Sequence, residues 1–215
     1  AAYERLLAPG ISAFDRFAAA LSRGDGVGTD ALAPAAQRGL ALFLGRANCL
    51  LCHGGPSFSD SEFHNTGAPA LAEEPDPGRY AGLQELLASP FHAGGAYSDD
   101  PQGAAARRVR SIRLTSETWG EFKTPSLRNL VGRGPYMHSG QLDSLEEVLH
   151  FYSTLEGSSG RSHHQEQTLV AIRLTGEETS DLLAFLAALT GDPPSGELLR
   201  PPPAPCLDPA SDSNR

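Results

Sequence analysis

The chain has 215 residues, 40% of them hydrophobic and 20% charged, with a formal net charge of −9; this is an ordinary globular composition with room for one domain or two small ones. The acidic excess argues against nucleic-acid binding, which needs a basic surface, and no apolar run approaches the ~20 residues that span a bilayer. Three cysteines cannot build a disulfide framework, and no signal peptide opens the chain, as holds equally for a mature exported protein or a fragment.

In chain order, "AAYERLLAPG" reads as helix until Pro9-Gly10 breaks it. "SAFDRFAAALSRG" reads as a second helix with Ser12 as N-cap and Gly24 near its end. "LAPAAQRGLALFLGRANC" reads as a third, with Pro34 in its first turn and Cys49 at its C-terminal end. Residues 65–118 show no sustained period and read as loop, with room for a short helix at "AGLQELLAS". "DSLEEVLHFYSTLEG" carries a capping box of Asp143 and Glu146 and a stripe of Leu145, Val148, Leu149, Tyr152 and Leu155. "TGEETSDLLAFLAALTG" repeats the pattern, with Thr175 and Glu178 as the box and Gly191 as the stop. No β-alternation is convincing. Beyond Asp192 the proline-rich end, with Cys206, reads as a disordered tail. The expected fold is mainly α with long irregular loops.

The chemistry concentrates in Cys49-Leu50-Leu51-Cys52-His53. Two cysteines three apart with a histidine directly behind have the spacing for covalent c-type haem. Two thiols add across the vinyl groups of one haem edge, and the next residue then lies under the ring, where its imidazole ligates iron. Zinc would need two more ligands, and although His64 and His92 exist there is no second cysteine pair. A thioredoxin-type dithiol follows a strand in a βαβ pattern, whereas this motif follows a helix.

"AAYERLLAPGISAFDRF", "RGLALFLGRANCLLCHGGPSFSDSEFHNTG", "FKTPSLRNL", "GPYMHSG", "LEEVLHFY" and "DLLAFLAALTG" occur in this order. Together they resemble the C-terminal haem domain of the bacterial dihaem cytochrome c peroxidase and MauG family, from residue 1 to about 191. The resemblance implies a c-type cytochrome fold in three parts. Residues 1–33 would bridge from a missing N-terminal haem domain, 34–191 would form the haem domain, and 192–215 the tail. It implies a periplasmic, peroxide-dependent haem oxidoreductase in which this chain is the electron-relay half. The second haem would lie on the missing domain or on a separate chain. The redox partner would be a small cytochrome, a copper protein or a protein substrate, and the other substrate hydrogen peroxide. A monohaem electron carrier is the alternative.

For the sixth iron ligand, the chain has one methionine, Met137, and Met/His ligation suits electron transfer. The resemblance points instead to the position fourteen residues after His138, which is Tyr152; MauG-like members carry tyrosine there. Read from its stripe alone, Tyr152 is a core aromatic. The remaining histidines, His64, His92, His150, His163 and His164, are weaker candidates. Arg128 is the residue expected to pair with a haem propionate. The family also binds calcium between its two haem domains through backbone carbonyls, here those of Arg133 and Pro135, together with an asparagine from the other domain. Trp119 reads as a packing residue. Ala47 stands where a MauG-like surface relay tryptophan would be. Arg107, Arg108, Arg110 and Arg113 form a basic cluster in an acidic chain, read as a solvated loop in preference to a docking site.

Overall fold

The computed structural model describes residues 6–7, 10–71, 76–158 and 165–201. Helix α1 (Ala13–Arg23) begins at Ser12, whose Oγ accepts from the Asp15 N–H while the Asp15 carboxylate accepts from the Ser12 N–H. It ends at Gly24 in the left-handed region, φ 69°, a conformation glycine adopts without strain. Helix α2 (Pro34–Leu44) has Pro34 in its first turn, where a missing N–H costs nothing. A 3₁₀ turn over Cys49–Leu51 follows it, so the helix stops short of the motif and Cys49 lies in the turn beyond.

Strand β1 (Phe63–His64) pairs antiparallel with β2 (Phe122–Lys123), Phe63 opposite Lys123 and His64 opposite Phe122. At two residues each, the strands are too short for alternation to show in the sequence. Helix α3 (Arg79–Ala88) covers the expected short helix and begins earlier. Helix α4 (Ala104–Ser111) falls within the stretch expected as loop. Its sequence AAARRVRS offers one buried residue, Ala106, and so no apolar stripe. Helix α5 (Leu145–Thr154) is capped by Ser144, whose Oγ accepts from the Glu147 N–H. The expected box of Asp143 and Glu146 is thus shifted by one residue, with Glu147 Oε2 accepting from the Asp143 N–H at 2.7 Å. Helix α6 (Gly176–Ala188) starts with the expected Thr175–Glu178 box and ends before Gly191. The expected first helix falls largely on residues 1–5, 8 and 9, and Cys206 with the rest of 202–215, His163 and His164 also lie outside the described residues.

Helices α2 and α6 form the centre of the molecule. They approach closely because Gly39 has no side chain; a Cβ there would lie 2.0 Å from the Asp181 carbonyl oxygen and 2.8 Å from Phe185 Cβ. Arg38 closes the same seam with a fork on Asp181, at 2.8 and 2.6 Å. The core joins Phe17, Leu32, Ala36, Phe43, Phe58, Leu149, Leu182, Phe185, Leu186 and Leu189. Phe17 and Leu32 come from the segment expected as an interdomain bridge, and here they pack into the core under the cysteine motif. Burying such side chains stabilises by ~1.5–3 kcal/mol each relative to exposure. Phe14, Phe43, Phe58 and Phe185 meet ring to ring, mostly edge-on, with centroids 5.1–6.1 Å apart. Among the described residues, no helix is long and apolar enough to cross a membrane.

Candidate haem site

The motif sits where α2 runs out into irregular backbone. Asn48 takes a left-handed conformation, φ 55°, which asparagine tolerates better than most residues. This turns the chain out of the helix and into the 3₁₀ turn of Cys49–Leu51. The His53 N–H donates to the Cys49 carbonyl at 2.9 Å, and the Asp60 N–H returns to the Cys52 carbonyl at 2.8 Å. Residues 49–60 therefore form a loop closed on itself. Both cysteines are free thiols, and both are partly buried. Burial, with the Cys52 charge adding to it, pushes the Cys49 thiol up to about 11, and burial pushes Cys52 up as well. Neutral buried sulfurs lose no charge solvation on conversion to thioethers.

His53 is oriented by backbone, not by a side chain. Its Nδ1–H donates to the Phe58 carbonyl at 2.9 Å, and the Pro125 carbonyl acts on the same ring. A carbonyl can only accept, so the proton belongs on Nδ1 and the Nε2 lone pair is left for a metal. Burial holds the imidazole below its ordinary pKa, keeping it in the neutral form that ligation requires. Phe58 can offer its carbonyl inward because it adopts φ 51° while its ring is buried in the core.

Tyr152, on α5, is brought to the same place. Burial pushes its phenol up to about 12, and the charges of Cys49 and Cys52 act in the same direction. That coupling places the phenol within electrostatic reach of both motif sulfurs. The Thr66 side chain opposes that shift. Met137 lies in the loop that closes through the Tyr136–Leu142 bridge, and adopts φ 68°. Among the other histidines, His92 Nδ1 accepts from the Gly94 N–H at 2.9 Å, and His150 is 3.4 Å from Glu156 on the surface.

His64 is held at both ring nitrogens, Nε2 by Asp60 at 2.9 Å and Nδ1 by Glu166 at 3.0 Å. Burial works against the imidazolium, but the two carboxylates outweigh it and raise its pKa above the ordinary value. Cys52, Asp60 and His64 bring donor atoms within 4.8 Å of one another. Zinc was set aside in the sequence for want of partners. The structure supplies this trio, but both nitrogens of His64 are engaged by carboxylates.

Arg128, expected on a propionate, has a carboxylate partner within the chain. Its fork meets Asp15 at 2.9 and 3.0 Å and its Nε donates to the Pro56 carbonyl at 2.7 Å. The guanidinium thereby ties the start of α1 to the motif loop, and it holds the Asp15 carboxyl down at about 2. Arg133 and Pro135, the expected calcium positions, are exposed, and among the described residues their carbonyls accept no hydrogen bond. Trp119 packs on Tyr80 with centroids 5.3 Å apart, as expected of a packing residue, and remains partly exposed.

The Phe58 and Pro125 carbonyls, Thr66, and the Asp60–His64–Glu166 array were not singled out in the sequence. Backbone acceptors leave no residue-type signal. The array joins positions more than 100 apart, and only the fold brings them together.

No family model matches the chain. It is 36% identical to "Cytochrome-c peroxidase IdrP1" of Denitromonas iodatirespirans over 163 residues, 74% of this chain and 41% of that protein. It is 34% identical to "Methylamine utilization protein MauG" of Methylorubrum extorquens over 193 residues, 90% of this chain and 43% of that protein. The chain thus spans less than half the length of these relatives. Among solved structures, a MauG-like protein associated with microbial copper homeostasis matches with a TM-score of 0.56 at 28% identity, over 89% of this chain and 54% of that one. The diheme peroxidase BthA of Burkholderia thailandensis shares the fold, with a TM-score of 0.52 at 23% identity over 74% of this chain and 43% of that one.

Proposed function

This chain belongs to the dihaem cytochrome c peroxidase and MauG family, and we propose that it is a periplasmic c-type haem oxidoreductase: the C-terminal, electron-relay half of a peroxide-dependent dihaem enzyme. The observation that carries the reading is the pair of partly buried Cys49 and Cys52 thiols with the His53 imidazole directly behind them, its proton held on Nδ1 by the Phe58 carbonyl. The residues present fit a c-type haem. Cys49 and Cys52 would hold it covalently, His53 Nε2 would face the iron from one side, and Tyr152 is the sixth ligand in this reading, with Met137 as the alternative.

Bound there, the haem supplies one-electron exchange at iron. The protein's part is positioning and proton placement. The Phe58 carbonyl keeps the Nδ1 proton in place and so fixes which imidazole nitrogen faces the metal. Burial pushes the Tyr152 phenol up to about 12 and so favours its protonated form. As an anionic ligand it would have to give up that proton, which burial opposes and the Thr66 side chain favours. A site with two protein ligands leaves no position for peroxide, so peroxide chemistry is assigned to the second haem on another domain or chain. Calcium between the two halves would use the Arg133 and Pro135 carbonyls. The redox partner is a small cytochrome, a copper protein or a protein substrate.

The test is covalent haem content. The chain purified from a host competent in c-type haem attachment should retain one haem through acid–acetone extraction and give a pyridine haemochrome spectrum after denaturation. A paired Cys49→Ala, Cys52→Ala variant should lose it. A colourless parent chain, or haem that extracts freely from it, overturns the reading.

A further inference from the structure

The acidic chain has one basic face that the haem site does not use. Four of its seventeen lysines and arginines, Arg107, Arg108, Arg110 and Arg113, fall within and just beyond α4. All four are exposed. At 3.6 residues per turn, Arg107, Arg108 and Arg110 fan across an arc of roughly 160°. Buried Ala106 and half-buried Val109 turn the other way, toward the protein. Among the described residues the guanidinium groups that find acceptors meet neutral ones: Arg107 donates to the Gln102 carbonyl at 2.7 Å, Arg110 to the Pro101 carbonyl, and Arg113 to the Arg110 carbonyl at 3.4 Å. By contrast, Arg38, Arg46, Arg79 and Arg128 each face a carboxylate. Among the described residues none of the four arginines has an ion pair. Asp100 lies at the other end of the helix, against Gly103.

Cations near a helix C-terminus complement its dipole, which accounts for Arg108 and Arg110 in the last turn. It does not account for Arg107 or Arg113, nor for what lies beside them. Phe91 and Tyr97, 75% and 70% exposed, stack with centroids 4.8 Å apart and planes 14° from parallel. Their loop is pinned by the Gly95 N–H on the His92 carbonyl at 2.8 Å and by the Gly94 N–H on His92 Nδ1 at 2.9 Å. It rests on α4 at Gly94, where a Cβ would lie 3.7 Å from Ala106 Cβ. The result is an exposed, stacked aromatic pair on a loop that packs against the helix carrying the four arginines. Aromatic residues and arginine are both enriched in binding faces relative to ordinary surface.

We infer that this face, α4 together with the loop over residues 90–99, docks an acidic protein surface. Carboxylates of the partner meet the planar arginine forks, which match carboxylate geometry two bonds at a time. An apolar side chain of the partner covers the Phe91–Tyr97 pair. Charge complementarity also orients the encounter: in a chain with a net charge of −9, an acidic partner is steered toward this cluster of arginines. This rests on the surface alone and is independent of whether haem occupies Cys49, Cys52 and His53.

The test uses the purified chain and three labelled probes in anisotropy or sedimentation assays: a glutamate-rich peptide with one central leucine, a DNA duplex, and vesicles of mixed phosphatidylcholine and phosphatidylglycerol. The peptide should bind, and binding should weaken as salt rises from about 0.05 to about 0.3 M, because the screening length shortens. Replacing all four arginines by glutamine should weaken binding at least about tenfold. Replacing them by lysine should give binding between parent and glutamine variant, because the charge stays and the two-bond fork is lost, and thermal melts of all variants separate loss of binding from loss of folding. Phe91→Ser with Tyr97→Ser should also weaken it several-fold. Absence of peptide binding, glutamine or serine variants that bind like the parent, or tighter binding to DNA or vesicles than to the peptide would each overturn the inference.

Discussion

Phe58 and His53 are joined by one hydrogen bond, the imidazole Nδ1–H donating to the Phe58 carbonyl at 2.9 Å. The Phe58 ring meanwhile packs edge-on against Phe14, at 5.1 Å, and Phe43, at 6.0 Å. A core residue thereby sets the tautomer and direction of the candidate iron ligand. The stability of the fold and the geometry of the site are coupled through this residue.

Phe58→Ala is therefore expected to do two things. It should destabilise the chain by about 3–5 kcal/mol, the cost of emptying a large aromatic site, as read in urea unfolding. It should also loosen His53, so that the haem-loaded variant shows a mixture of iron spin states. Phe58→Leu refills much of the space and should be milder on both counts. A variant with parental stability and a split iron signal would show that the carbonyl and the ring act separately.

Tyr152→Phe should remove the sixth ligand, and Met137→Leu should not. The phenylalanine keeps the ring and deletes the oxygen, so the cost to folding should stay within about 1.5 kcal/mol. The ferric iron should then become five-coordinate or take water, and its spin state should rise. Low-temperature EPR of both variants decides. A changed signal in Met137→Leu with an unchanged one in Tyr152→Phe would make this a methionine-ligated electron-transfer domain.

The Asp15–Arg128 pair sets an acid limit. Hydrogen bonding to Arg128 lowers the Asp15 carboxyl from 3.8 to about 2. A depressed carboxyl contributes stability that is fully present above the unfolded value, and that stability is lost as pH falls through about 2. Asp15→Asn should remove that part of the acid dependence. At neutral pH it should cost on the order of 1 kcal/mol, since the pair is partly exposed and screened. Urea midpoints of parent and variant between neutral and strongly acid pH should converge as pH falls. Parallel curves would show that the pair adds nothing.

His64 sets the opposite limit. Burial opposes its charge, but Asp60 and Glu166 outweigh burial and hold its pKa above the ordinary 6.5. A raised histidine contributes stability that is fully present below the unfolded value and is lost as pH rises through the folded one. His64→Gln should lower the melting temperature at pH 6 and flatten its decline on the alkaline side of 6.5. Melting scans across that range check it. A parental slope in the variant would assign the alkaline loss to another group.

What was legible in the sequence was local. Ser12 with Asp15, Thr175 with Glu178, Gly24 and Pro34 act on backbone within a few residues of themselves, so their chemistry can be read in one dimension. The cysteine–histidine spacing is equally local, because two anchors and a ligand must follow one haem edge. The difference at α5 is also local: Asp143 and Ser144 are both good N-cap residues one position apart, each with a glutamate three residues on, and the chain caps at Ser144. Helix α4 escaped because a surface helix with one buried alanine leaves no apolar stripe. What the tertiary structure alone decided is everything that depends on atoms far apart in the chain or on backbone oxygens. The Phe58 carbonyl on His53, the carboxylates of Asp60 and Glu166 on His64, and the capture of Arg128 by Asp15 are of this kind. Residue identity cannot announce them, because a carbonyl is the same at every position and a long-range partner is chosen by how the helices pack.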